Sequence, residues 1–263
     1  MRKLNSCFIV AATIHAWSIP VSAEPWGDLT VQFLFDGAAP EADEIAVTKD
    51  QAFCGKEKLF DESLVVDAET KGIANVIVYM YLRRSDKKPP IHESYAELKP
   101  VKVQLDNRKC RFEPHVVLVR TGQDFVIGNP DAVGHNTKVD TFVNPATNFN
   151  IPAGAELPAQ QFEEPERLPA AASCSIHPWM KSWILIKDNP YFAVSDKEGK
   201  VEIKNIPAGK WTFQFYQEAI GYVADIQLNG KPTSWKRGRP ELEIKPGLND
   251  LGEVKFKLEP KKD

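Results

Sequence analysis

Residues 174–180 read Cys-Ser-Ile-His-Pro-Trp-Met and bring a thiol, an imidazole and a thioether within seven positions. The chain has 263 residues but only four Cys, five His and three Met, so this is a concentration of soft and borderline donors. On one short loop, the spacing Cys-x2-His-x2-Met lets Cys174, His177 and Met180 converge on a single ion. Soft sulfur stabilises Cu(I) and imidazole serves both copper oxidation states, so copper is the metal this set suits. Zinc suits it less, because a thioether is a poor zinc ligand and structural zinc draws on more Cys and His. A fourth donor is needed from elsewhere. A second imidazole would complete the trigonal His2Cys arrangement with a weak axial Met that transfers single electrons.

Three other histidines compete for that place. His92 lies in the charged loop Lys-Lys-Pro-Pro-Ile-His-Glu-Ser, and His115 opens the apolar run His-Val-Val-Leu-Val. His135 follows a strand-like run and a short Gly-containing loop, and it precedes Asn136, whose side chain and backbone can brace the cysteine loop. Hydrogen bonds of that kind orient metal ligands. His135 is the expected second imidazole.

The N-terminus bears on the state of the thiols. Arg2 and Lys3 precede an apolar stretch, and Val21 and Ala23 fit the −3 and −1 positions of a signal-peptidase site. Residues 1–23 therefore read as a signal peptide cleaved after Ala23, and the mature chain as periplasmic or secreted. Its apolar run is short of a full membrane span. The mature protein keeps Cys54, Cys110 and Cys174, an odd number in an oxidising compartment. The cysteine flanked by His and Met is the one to leave unpaired, so a Cys54–Cys110 disulfide is expected. The alternative is three buried thiols.

The elements that must position these residues are strands. Leu29–Phe35 alternates in the manner of a half-buried strand. The runs 63–68, 74–82, 115–119 and 124–129 are rich in β-formers, the last two joined by a turn at Thr121-Gly122. Residues 144–170 are loop-like with many prolines, and 182–188 is a strand directly after the Cys-His-Met loop. Beyond Asn189-Pro190, charged and apolar residues alternate in run after run, the habit of antiparallel sheets with one wet face. The formal net charge of −3 gives no basic excess for binding nucleic acid. No nucleophile–base set, phosphate-cradling glycine loop, zinc-protease helix or haem-attachment motif stands out, so the chain does not read as an enzyme.

His135-Asn136 some forty residues before Cys-x2-His-Pro-x-Met resembles the small cupredoxins, amicyanin above all, with plastocyanin and pseudoazurin. The segment Val119–Asn136 is similar to the cupredoxin run in which a Gly turn precedes a strand, an Asn and the first copper His. The resemblance covers roughly 100–190. It implies His135, Cys174, His177 and Met180 as copper ligands. Val-Glu-Ile-Lys-Asn-Ile-Pro-Ala-Gly-Lys-Trp (201–211) looks like the signature of carboxypeptidase regulatory-like β-sandwiches. Most of the mature chain is similar to exported bacterial proteins described as methylamine-utilisation-like or plastocyanin-like. One departure stands out. The approach to the cysteine, Leu-Pro-Ala-Ala-Ala-Ser, lacks the aromatic strand usual in small cupredoxins.

The expectation is all-β: a cupredoxin-like Greek-key β-sandwich over 24–190, including an N-terminal β extension, plus a second small β-sandwich over 191–263. The expected function is a type 1 (blue) copper protein that carries or relays one electron to a partner protein. Two other readings stay open. One is non-redox copper binding or trafficking. The other is a β-sandwich that binds a glycan or protein and carries a vestigial copper site.

Overall fold

The structure is a computed structural model and describes residues 25–97 and 101–257. Residues 1–23, read from the sequence as a signal peptide, lie outside the described residues. The described chain is all-β, with helix confined to α1 (Gln51–Cys54) and two short 3-10 turns.

The strands, in chain order, begin with β1 (Trp26–Phe35), β2 (Ile77–Met80), β3 (Val103–Arg108), β4 (Arg111–Glu113), β5 (Val116–Arg120) and β6 (Phe125–Gly128). They continue with β7 (His135–Asp140), β8 (Thr147–Ile151), β9 (Ala170–Ser173), β10 (Lys181–Lys187), β11 (Phe192–Val194) and β12 (Lys200–Pro207). The last are β13 (Gly209–Gln217), β14 (Gly221–Tyr222), β15 (Asp225–Leu228), β16 (Lys231–Ser234), β17 (Glu241–Ile244) and β18 (Gly247–Phe256).

They form two sandwiches. In the first, the sheet β5-β10-β9-β7-β8 faces β4-β3-β6 across a core that includes Leu105, Phe125, Val139 and Ile186. In the second, β12-β1-β18-β15-β16 faces β11-β2-β13-β14, with β17 beside β13, across a core that includes Phe33, Val78, Phe213 and Phe215.

The pairings cut across a division at residue 190. β1 lies between β12 and β18, and β2 between β11 and β13, so two strands from the N-terminal part complete the C-terminal sandwich. β1 therefore does not extend the sheet that carries Cys174. Residues 63–68 form only the isolated bridge Val66–Ile73 rather than a strand, and β8 lies inside the stretch expected to be loop. The two runs around Thr121-Gly122 do not pair with each other. β5 joins β10 and β6 joins β3, so the turn arches from one sheet to the other, with Gly122 at φ +72°.

The sandwiches meet back to back, and strand periodicity shows how. Ile77-Val78-Tyr79-Met80 is buried throughout. Val78 and Met80 enter the second core, while Ile77 and Tyr79 turn the other way to meet Val116 and Leu185. On β10, Ile184 and Ile186 face the first core and Leu185 faces this junction. Successive side chains of a strand point to opposite faces. A continuous apolar run is thus what a strand needs when both faces are covered. The layer that carries the Cys-His-Met loop is therefore held from behind by the second sandwich.

Lys187 closes the edge of this junction. Its side chain is nearly buried, its Nζ donates to the Glu166 carbonyl, and it sits 4.1 Å from the Tyr79 ring centroid. Burial brings its ammonium pKa down to about 7, against roughly 10.4 in an unfolded chain. Between these values the unfolded chain binds more protons than the fold. The contribution of this group to stability therefore rises with pH across that window, by up to about 1.4 kcal/mol per pH unit. Denaturant unfolding followed from about pH 7.5 to 9.5 should show a larger gain for the wild type than for Lys187→Met. Parallel curves would place the titration elsewhere.

Candidate metal centre

β7 opens at His135, and the loop before it is pinned in place. The Asn129 side-chain amide donates to the carbonyls of Val133, Ile151 and Pro152, each at 2.9 Å. Asp131 accepts from the backbone N–H groups of Lys109 (2.6 Å) and Cys110 (2.8 Å). Its Oδ2 also lies 2.9 Å from His135 Nε2.

β9 ends at Ser173 and delivers Cys174 to the same place. The expected weakness of this approach has a structural counterpart. Ala170, Ala171, Ala172 and Ser173 do form a strand, but one of small residues held between β7 and β10. The loop then returns at once to β10. Met180 N–H donates to the His177 carbonyl at 2.9 Å, and Cys174 N–H reaches the Met180 carbonyl at 3.4 Å. These two bonds close the ring of residues 174–180 and turn its donors inward.

Asn136 braces this loop. Its Oδ1 accepts from Ser175 N (3.1 Å) and Ser175 Oγ (2.6 Å), and its amide nitrogen donates to Asn148 Oδ1 on β8. The backbone N–H groups of Asn136 and His177 each point at Cys174 Sγ from 3.4 Å.

The result is a buried constellation of three donors. His135 Nδ1 and His177 Nδ1 lie 2.9 Å apart, and Cys174 Sγ is 3.9 Å from His177 Nδ1. All three ligand atoms fall within 4.8 Å of one another. Cys174 is a free thiol, and His177 has no exposed surface. Met180 is equally buried and packs in the same core cluster as Cys174. The other candidates stand apart. His92 caps a 3-10 turn through Ser94 N–H and stacks edge-on against Trp26, and His115 pairs with Glu218 at 2.7 Å.

Both outer imidazole nitrogens face carboxylates. His177 Nε2 lies 2.8 Å from Asp50 Oδ2, as His135 Nε2 does from Asp131. A carboxylate accepts, so both Nε2 atoms carry hydrogen and both Nδ1 atoms are left with lone pairs aimed at each other. Without a metal, one proton between them resolves the conflict. The surroundings push the two rings in opposite directions. Burial opposes a charge on His135, but the hydrogen bonds to Asp131 and Cys174 outweigh it and hold the His135 pKa above the ordinary imidazole value. Burial pushes His177 below that value despite Asp50, and the neighbouring His135 adds to the effect. Burial alone would raise the Cys174 thiol, but His135 and the amides of Asn136, His177 and Ile176 bring it below its ordinary range. The thiolate is the metal-binding form of cysteine. Two inward-facing imidazole nitrogens and a thiol of lowered pKa form a donor set that a soft or borderline cation fits.

Asp50 and Asp131 were not foreseen from the sequence. Asp131 had a local signal, an Asn-Pro-Asp turn four residues before His135. Asp50 had none, since it is 127 residues from His177. The structure also joins Cys54 to Cys110, with Cα atoms 5.5 Å apart.

No family model and no curated protein sequence matches the chain. Solved structures do. A copper-containing nitrite reductase from Thermus scotoductus SA-01 is 21% identical with a TM-score of 0.29, over 41% of this chain and 25% of that one. The match thus spans a quarter of that enzyme's length. A purple cupredoxin from Nitrosopumilus maritimus is 19% identical, with a TM-score of 0.27, over 33% of this chain and 98% of that one. A mutant amicyanin in its Cu(I) form is 16% identical, with a TM-score of 0.29, over 41% of this chain and 97% of that one.

Asn136→Ala removes the acceptor of Ser175 and should destabilise the fold by about 1–3 kcal/mol, read as a lower denaturant midpoint with unchanged slope. An unchanged midpoint would mean that the Cys174 loop holds its shape without the brace.

Proposed function

We propose that this chain is an exported copper-binding protein whose site is made by His135, Cys174, His177 and Met180, and that it carries or relays single electrons. The observation that carries the reading is the convergence of two Nδ1 atoms and the Cys174 sulfur in a buried cluster, with both outer nitrogens already hydrogen-bonded. Copper bound there supplies the Cu(II)/Cu(I) couple.

The protein's part is to hold the donors still. The carboxylates of Asp131 and Asp50 fix the imidazole tautomers, so both Nδ1 atoms face inward. Two N–H groups on Cys174 Sγ stabilise the thiolate and fix its direction. The ring of residues 174–180, closed on itself and on β10, leaves the thiolate and its two imidazoles little room to rearrange when charge changes. Trp179 reinforces this by donating to the Cys110 carbonyl at 3.0 Å and packing beside the His177 ring. Burial excludes water as a competing ligand. Met180, buried in the same core cluster, would add a thioether, a weak ligand that would tune the metal more than bind it.

The Cys54–Cys110 disulfide and the unpaired Cys174 fit an oxidising compartment outside the cytoplasm. Among the described residues no helix is long and apolar enough to cross a membrane.

The test is a copper titration followed by absorption. One equivalent of Cu(II) should give an intense thiolate-to-copper charge-transfer band. Cys174→Ser should abolish it, because a hydroxyl is neither soft nor ionised near neutral pH. His135→Ala and His177→Ala should each weaken copper binding by at least tenfold. Met180→Leu should keep copper and shift the potential. Copper binding without colour would favour storage or trafficking over electron transfer, and absence of copper binding would end the reading.

A further inference from the structure

Asp50 stands where a helix cap should be and does something else. It precedes α1, and aspartate at that position normally uses its carboxylate to accept the first free N–H groups of the helix. Here the side chain makes no capping bond. The Asp50 carbonyl instead accepts from Phe53 and Cys54 N–H at 2.8 Å each, and the residue sits in the left-handed region at φ 46°, ψ 41°. Aspartate is among the few residues that tolerate this conformation, at a modest cost. The forgone cap and the unusual backbone have one visible outcome: the carboxylate reaches His177 Nε2 at 2.8 Å.

The segment around it is built to hold that reach. Ile45 N–H bonds to the Leu59 carbonyl, and Ile45, Val47 and Phe53 pack on the first core. Cys54, four residues after Asp50, is covalently tied to Cys110. Cys110 N–H donates to Asp131, the carboxylate that faces the other imidazole. The two carboxylates that orient the two histidines are thus anchored at the two ends of one disulfide. The Asp50 side chain is 42% exposed while that of His177 is 0%. The carboxylate is therefore the layer between the imidazole edge and water.

We infer that Asp50 is a positioning residue that closes the outer edge of His177, slows release of the bound metal and lowers its reduction potential. The inference rests on the copper reading. Two physical effects are separable. The hydrogen bond holds the ring in place, and any acceptor of the right size supplies it. The negative charge favours the more highly charged Cu(II) form, and only the carboxylate supplies that.

The experiment uses the mature full-length protein loaded with copper. Reduced protein is challenged with excess bicinchoninate to follow Cu(I) release, and the potential is measured by redox titration of the charge-transfer band. Asp50→Ala should release copper at least tenfold faster and have a higher potential. Asp50→Asn keeps an acceptor without the charge, so it should release copper near the wild-type rate but share the raised potential. Glu57→Gln, on the same segment but paired with Lys109, should change neither. A merely structural role would move Ala and Asn together, in release rate and not in potential. Wild-type behaviour of both Asp50 variants in copper-loaded, coloured protein would overturn the inference and leave the copper reading standing. A wild type that takes up no copper would bring down that reading first.

Discussion

Two imidazole nitrogens held 2.9 Å apart with their lone pairs facing is an arrangement a protein must enforce. Left free, either ring would rotate to donate a hydrogen to the other or to water. Rotation is opposed because each outer nitrogen is committed to a carboxylate, the buried Asp131 for His135 and the exposed Asp50 for His177. A cation at the centre, whether a proton or a metal ion, would relieve the conflict. The low thiol pKa of Cys174, the raised value of His135 and the lowered value of His177 all follow from this contest between burial and neighbouring charge.

Enforcement comes from outside the loop that carries Cys174 and His177. That loop supplies two of the three converging atoms and a buried Met180. β7 supplies His135 and Asn136, the turn before it supplies Asp131, and the segment around α1 supplies Asp50. The Cys54–Cys110 bridge spans a sequence separation of 56 residues. Closing a loop of that size stabilises a fold by about 4 kcal/mol on chain-entropy grounds. Behind the sheet, the second sandwich covers the outer faces of β5 and β10, so the strand leaving the loop is packed on both sides.

How much of this could be read from the sequence depended on distance along the chain. The Cys174–Met180 spacing is local and marks a cluster of soft donors, two of which the fold brings together with His135. His135 was legible because a strand, a glycine loop and Asn136 mark it out. β1, β2, β5, β6, β10 and the run of strands beyond residue 190 followed from alternation and β-forming composition, whereas β3, β4, β7, β8 and β9 carry no comparable pattern and were not read. Long-range pairing escaped as well. Nothing local tells that β1 inserts between β12 and β18, since its alternation fits the edge of either sandwich. Residues 63–68 have strand composition, but Val65 stays exposed and only one bridge forms. Asp50 was invisible for the same reason. No local pattern singles it out, and only the fold turns it toward His177.

The central claim is that one copper ion is held by the inner nitrogens of His135 and His177 together with Cys174. Diffraction from copper-loaded crystals at the copper absorption edge tests it most directly. The account predicts a single anomalous peak enclosed by His135 Nδ1, His177 Nδ1 and Cys174 Sγ, on the side of the rings away from Asp131 and Asp50. A peak against the outer nitrogens, a peak remote from Cys174, or none in a protein shown to be folded would contradict it.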